Sequence, residues 1–240
     1  RKRYFMRLDK YLADMGVGTR SEVKRLIRKG FVTIEGTICK KAEEQIKDGD
    51  LVEVEKRPIV YVEQEYYMLY KPAGVLSATR DRNERTVVDL IESRRRKDLF
   101  PVGRLDRDTE GLLLITNDGE LAHRLLSPKK HVGKVYFVIL NGKITKEQIT
   151  CVEGGIELEA GVVTLPASLK VLESRDEKSE VEITIYEGKF HQVKRMFEAV
   201  GLKVIYLKRL SMGTLVLDPR LKRGEYRALT EEEIEEIKRN

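Results

Sequence analysis

The sequence predicts an α+β protein in two parts. Residues 1–58 form a small unit of two helices and a short-stranded sheet, and residues 59–240 a larger mixed sheet with helices. Three observations carry this reading. Apolar residues recur at helical spacing between Leu8 and Ile27, then give way to strand-like pieces of a few residues. Lys56-Arg57-Pro58 opens a linker-like stretch that runs to residue 65. From Tyr66 onward, strand and helix patterns are interspersed without the regular alternation of a doubly wound parallel sheet.

The first helix follows from Leu8, Leu12 and Met15, with Tyr11 beside them, and ends at Gly16 and Gly18. Thr19 and Glu22 have the spacing of a capping box for a second helix. Val23, Leu26 and Ile27 make its apolar face, while Lys24, Arg25, Arg28 and Lys29 fall largely on the other side. Gly30 is a stop signal. Strand pieces follow at 31–34, 37–39 and 51–55, joined by Glu35-Gly36 and Asp48-Gly49-Asp50. In the second part, strands are expected at 66–70, 112–116, 134–140, 162–165, 181–186 and 204–209. Helices are expected at 86–93, 120–126, 146–152, 191–200 and 230–238.

Composition excludes several classes. Cys39 and Cys151 are too few for a disulfide scaffold, and with three histidines they show no zinc-ligand spacing. No apolar run is long enough for a membrane helix, and the start carries no signal-peptide core. A soluble cytoplasmic monomer is the expectation. The net charge is +6, but residues 1–30 hold ten Lys or Arg against three acids, while the other 210 hold 36 basic and 37 acidic groups. A basic block on an otherwise balanced chain fits a polyanion-binding element or a solvated face.

The first unit resembles the alpha-L RNA-binding motif first described in ribosomal protein S-four. The resemblance rests on residues 6–12 (Met-Arg-Leu-Asp-Lys-Tyr-Leu), Thr19-Arg20-Ser21-Glu22, Ile27, Gly30, Val32, Gly36 and Asp48-Gly49-Asp50. It implies structured RNA as a partner, with Arg20, Lys24, Arg25 and Arg28 as contacts, and no particular reaction.

The densest polar cluster runs from Gly103 to Gly111 and contains Arg104, Asp106, Arg107, Asp108 and Glu110. Its acids match the opening of a calcium loop, but the position that should carry a bidentate Glu is Asn117, and residues 112–116 read as a buried strand. The residues alone leave two readings open: a surface turn of paired charges, or a reactive carboxylate presented by a loop before a buried strand.

Four separated segments resemble the pseudouridine synthases, in the branch typified by small-subunit ribosomal RNA pseudouridine synthase A. They are residues 70–75 (Tyr-Lys-Pro-Ala-Gly-Val), Gly103-Arg104-Leu105-Asp106 running to Asp118-Gly119, Lys134-Val135-Tyr136, and residues 187–196 (Glu-Gly-Lys-Phe-His-Gln-Val-Lys-Arg-Met). The resemblance implies isomerisation of a uridine in ribosomal RNA, 16S in particular, without metal or other cofactor. Asp106 would be the essential carboxylate, Lys194 its basic partner with Arg195 as the fallback, and Tyr136 the ring against the target base. Arg104 would help fill the gap left by the extruded base. Lys71, His191 and Arg195 are expected among the RNA contacts. Clusters at Arg80, Arg82 and Arg85, at residues 94–97 and at residues 129–131 fit an RNA track or solvated faces. The rival readings are a large-subunit rRNA synthase, a non-catalytic rRNA-binding assembly factor, and a glycosidase, which would need a second positioned carboxylate.

Overall fold

A computed structural model gives the structure of residues 5–239; Arg1, Lys2 and Arg3 of the basic block lie outside the described residues. The chain divides into two compact units. One comprises Arg1–Glu65 and Ser93–Leu99, the other Tyr66–Glu92 and Phe100–Asn240.

In the first unit, α1 (Leu8–Asp14) and α2 (Arg20–Arg28) enclose a small core of Leu8, Tyr11, Leu12, Val23, Ile27, Val32, Ile46, Val52 and Val54. The capping box forms as the spacing predicts: Glu22 N–H donates to Thr19 Oγ1 and Thr19 N–H to the Glu22 carboxylate. Four short strands line up in the order Thr37–Ile38, Val32–Ile34, Val52–Val54, Arg57–Pro58, all antiparallel. Residues 59–65, expected to begin the larger domain, belong here. Tyr11 donates its hydroxyl to Ile59 O at 2.7 Å and packs its ring 5.1 Å from that of Tyr61. Ser93–Leu99 joins them: buried Arg96 donates to Tyr61 Oη and Val62 O and pairs with Asp14 and Asp98. Arg96 is therefore a structural cation of this unit and not part of an exposed RNA track.

The second unit is built on one mixed sheet. Its main elements are β1 (Tyr66–Lys71), β2 (Glu110–Thr116), α3 (Gly119–Leu126), β3 (Lys134–Leu140), α4 (Lys146–Gly154), β4 (Ser168–Arg175), β5 (Lys178–Ile185), α5 (Gln192–Ala199), β6 (Val204–Met212), β7 (Tyr226–Ala228) and α6 (Glu231–Arg239). The strand order is β4-β5-β3-β6-β2-β1-β7. Every neighbouring pair is antiparallel except β6–β2, which is parallel through Lys208↔Glu110 and Arg209↔Gly111. β1 and β2 are buried along their whole length, which explains their near-continuous apolar runs. Their Tyr66, Met68, Tyr70, Leu112 and Leu114 form a core with Leu121 and Leu125 of α3 and Ile237 of α6. Asp118 caps α3 by accepting from Leu121 N–H, and it is held by the Tyr66 hydroxyl at 2.7 Å.

One expected helix is missing and one strand is unexpected. Residues 86–93 form only the single turn Val88–Leu90, because Thr86 closes on Asp89 through both its N–H and its hydroxyl and the chain then leaves for the first unit. β4 stands where no strand is expected: it is an edge strand exposed along nearly its whole length, so it lacks the apolar alternation that marks half-buried strands.

Candidate active site

The polar loop before β2 is held by backbone bonds from three directions. Lys71, the last residue of β1, is 0% exposed. Its ammonium donates to Pro72 O (3.0 Å), Arg107 O (3.2 Å) and Thr109 O (2.9 Å), which uses all three protons. The Ser77 hydroxyl donates to Leu105 O at 2.7 Å and accepts from Leu105 N–H at 3.1 Å. Gly74 N–H bonds Arg107 O, and Thr109 N–H bonds Asp106 O. Asp106 is thus flanked on both sides by fixed backbone, as a reactive group needs.

The loop meets β6 where the parallel pair forms. Gly111 sits at φ +107°, and a Cβ there would lie 2.2 Å from Arg209 O. Arg209 is 2% exposed and donates Nε–H to Leu112 O; its Nη2 has no hydrogen-bond partner among the described residues.

Helix α5 supplies the cation. It buries Gln192, Val193, Met196 and Phe197, so Lys194 falls on its polar side. Lys194 Nζ lies 3.0 Å from Asp106 Oδ2 and 2.6 Å from Asp108 Oδ1. Burial alone would lower the Lys194 pKa, but bonds to Asp108 and Asp106 outweigh it and hold the ammonium above its ordinary value. The Lys194 hydrogen bond likewise holds the Asp108 carboxyl below the usual carboxylate range. His191, the residue before α5, places Nε2 3.5 Å from Asp106 Oδ1.

The expected residues separate into groups. Asp106, Lys194 and His191 come together. Arg104 lies exposed on the same loop, with no ion pair among the described residues. Tyr136 is buried on β3, directly across from Arg209, which is itself in register with Gly111. Arg195 is tied elsewhere, to Leu158 O at 3.1 Å and the Glu159 carboxylate at 3.6 Å. Lys71 cannot contact RNA as expected, since it is fully enclosed; it braces the loop instead. In the first unit, Arg20, Arg25 and Arg28 are exposed on α2, while Lys24 lies 3.8 Å from the buried carboxylate of Asp9. Asp108 and Ser77 are site residues that the sequence reading misses. Asp108 stands two residues from Asp106, and that short spacing is the only signal for it.

Two buried lysines set an expected pH response. Burial pushes both Lys71 and Lys134 down to about 8, from 10.5 for an exposed lysine. Between about pH 8 and 10 the folded chain has released protons that the unfolded chain still holds, so stability should rise with pH. Each lysine contributes up to about 1.4 kcal/mol per pH unit in that window. Guanidinium unfolding at pH 7.5, 8.5 and 9.5 checks this, and a flat or falling series contradicts it.

Comparison with known proteins bears on the same residues. Residues 65–199 match the RNA pseudouridylate synthase family, and residues 6–52 match the S4 domain. The uncharacterized RNA pseudouridine synthase YtzG of Bacillus subtilis is 52% identical over 231 residues, covering 95% of this chain and 97% of that one. Ribosomal small subunit pseudouridine synthase A of Vibrio cholerae is 43% identical, covering 97% and 99%. Ribosomal large subunit pseudouridine synthase B of Bacillus subtilis is 39% identical, covering 97% and 95%. A crystal structure of a pseudouridylate synthase superposes with a TM-score of 0.68 at 39% identity, covering 97% of this chain and 99% of that one. With its matched segment holding the braced Asp106 loop and the Lys194 helix, the chain belongs to the RNA pseudouridylate synthase family.

Proposed function

We propose that the protein converts a specific uridine of small-subunit ribosomal RNA to pseudouridine. The observation that carries the chemistry is the pairing of Asp106, on a loop fixed by Lys71 and Ser77, with Lys194 of α5. In the reaction the N1–C1′ bond of uridine breaks and a C1′–C5 bond forms. The C5 proton leaves to solvent and N1 takes one up. An ionised Asp106 serves this either by attacking C1′ or by removing a ribose proton. Lys194 lies against the carboxylate that acts, and Tyr136 supplies a ring for the base. The exposed Arg104 occupies the gap left when the uridine is extruded, offsetting a cost of a few kcal/mol.

The small-subunit assignment is supported by the Vibrio cholerae relative and by the Phe190-His191-Gln192-Val193-Lys194-Arg195 run. The Bacillus subtilis large-subunit relative supports a second reading, with large-subunit RNA as substrate. Pseudouridine mapping of both rRNAs from cells lacking the protein separates them: loss of one small-subunit position is expected, and loss confined to the large subunit reverses the assignment.

The first unit holds RNA through the exposed side of α2 on this reading. Replacing Arg25 and Arg28 by Gln keeps helix propensity. It should weaken RNA binding and reduce the salt slope of log affinity by about 0.7–0.9 for each phosphate no longer neutralised. A salt titration with an unchanged slope would make these arginines a solvated face.

A further inference from the structure

We propose that Phe190 is a stacking platform for the base that flanks the target uridine, with His191 beneath it as the link to Asp106; this rests on the reading of Asp106 as the group that acts on RNA. Phe190 is 75% exposed. Exposure alone says little, since single apolar residues are common on surfaces. Three further features give it meaning.

The first is the stack. The Phe190 and His191 rings lie 3.8 Å apart at 19°. One face of the phenyl ring is therefore covered, and the other is offered to solvent as a flat aromatic surface. The turn that places the two rings together has His191 at φ +49°, a left-handed conformation uncommon among non-glycine residues.

The second is rigidity. The turn that presents Phe190 is tied to the buried carboxylate of Glu187, which accepts from Leu165 N–H (2.8 Å), Gln192 Nε2 (3.1 Å) and Lys189 Nζ. Gln192 Oε1 in turn accepts from Lys189 N–H at 2.9 Å. A ring held in place before binding loses little entropy on binding.

The third is position. His191 lies 3.5 Å from Asp106 and Phe190 stacks on its imidazole, so exposure rises from Asp106 through His191 to Phe190. The uridine that reacts must reach Asp106 itself. A ring one step further out suits the adjacent base. The exposed Arg104, two residues before Asp106 and in no ion pair among the described residues, favours a polyanion over an apolar protein partner. Stacking of unpaired bases on aromatic side chains is the usual way proteins hold single-stranded RNA.

The sequence contains no tryptophan, so Phe190→Trp introduces a single fluorophore at the platform. The probes are transcripts of small- and large-subunit rRNA carrying tritium at uridine C5. Saturating RNA should quench the emission of Phe190→Trp. Phe190→Leu, apolar but without a π-face, should bind RNA about tenfold more weakly than Phe190→Trp, within the range of one base–aromatic stack. Unchanged emission at saturation, established by filter binding, overturns the platform, as does equal affinity of the two variants. Tritium release by the wild-type protein is scored separately. Its absence from both transcripts overturns the reading of the reaction, whereas an unquenched tryptophan with release intact overturns the stack alone.

Discussion

Asp106→Asn should lower the rate of pseudouridine formation at least a hundredfold while leaving the fold in place. The carboxylate lies 3.0 Å from Lys194 Nζ and 3.5 Å from His191 Nε2. An amide has nearly the same shape and can turn its oxygen toward Lys194, and that ammonium keeps Asp108 at 2.6 Å. The backbone on either side is fixed by Ser77, Lys71 and Gly74 and does not depend on the carboxylate. What disappears is the negative charge and the ability to attack carbon or accept a proton. Loss of such a group costs about 10²–10⁴ in rate. Single-turnover tritium release from C5-labelled rRNA, run beside denaturation curves, makes the measurement. Retention of more than about a tenth of the wild-type rate would remove Asp106 from the mechanism.

Gly111→Ala should be the most destabilising single methyl in the second unit. Gly111 meets Arg209 at the parallel junction of β2 and β6, and a Cβ would come within 2.2 Å of Arg209 O and 2.6 Å of Arg209 N. Both atoms are backbone, so no rotamer change relieves the clash. The residue also sits at φ +107°, which an alanine adopts only with strain. Strain and overpacking together should cost about 3 kcal/mol or more. Because Asp106 lies just upstream of this junction, catalysis should fall with stability. An unfolding free energy within about 0.5 kcal/mol of wild type would mean that β2 and β6 are not so closely apposed.

Much of the site was legible because it follows from local sequence. The Gly103–Asp106 segment precedes a short run of four apolar residues that reads as a buried strand, and Lys194 lies on the polar side of a helix whose apolar side is plain in the sequence. The role of Lys71 was not legible. A lysine beside a proline looks like a surface cation, and only the β1–β2 register, which sets Lys71 opposite Gly111, brings it under the loop carbonyls. The boundary between the units was misplaced for a related reason. Pro58 reads as punctuation, yet it pairs with Glu53 at the edge of the small sheet, where a missing N–H costs nothing. β4 escaped because its partner lies on one side only and its side chains face water.

The return of Ser93–Leu99 to the first unit sets an order of events during synthesis. A ribosome releases the chain from the amino end at about 5–20 residues per second. The small core around Leu12 and Ile27 is available once Val54 has emerged. Asp14, Tyr61 and Glu65 then wait for Arg95 and Arg96, whose backbone amides and guanidinium they receive. All of β1 is made in that interval, before its partner β2 exists. The nascent protein therefore carries an unpaired strand, apolar and aromatic up to Lys71, for a few seconds, and the stretch from residue 72 to residue 109 is where a chaperone or a translational pause would matter most.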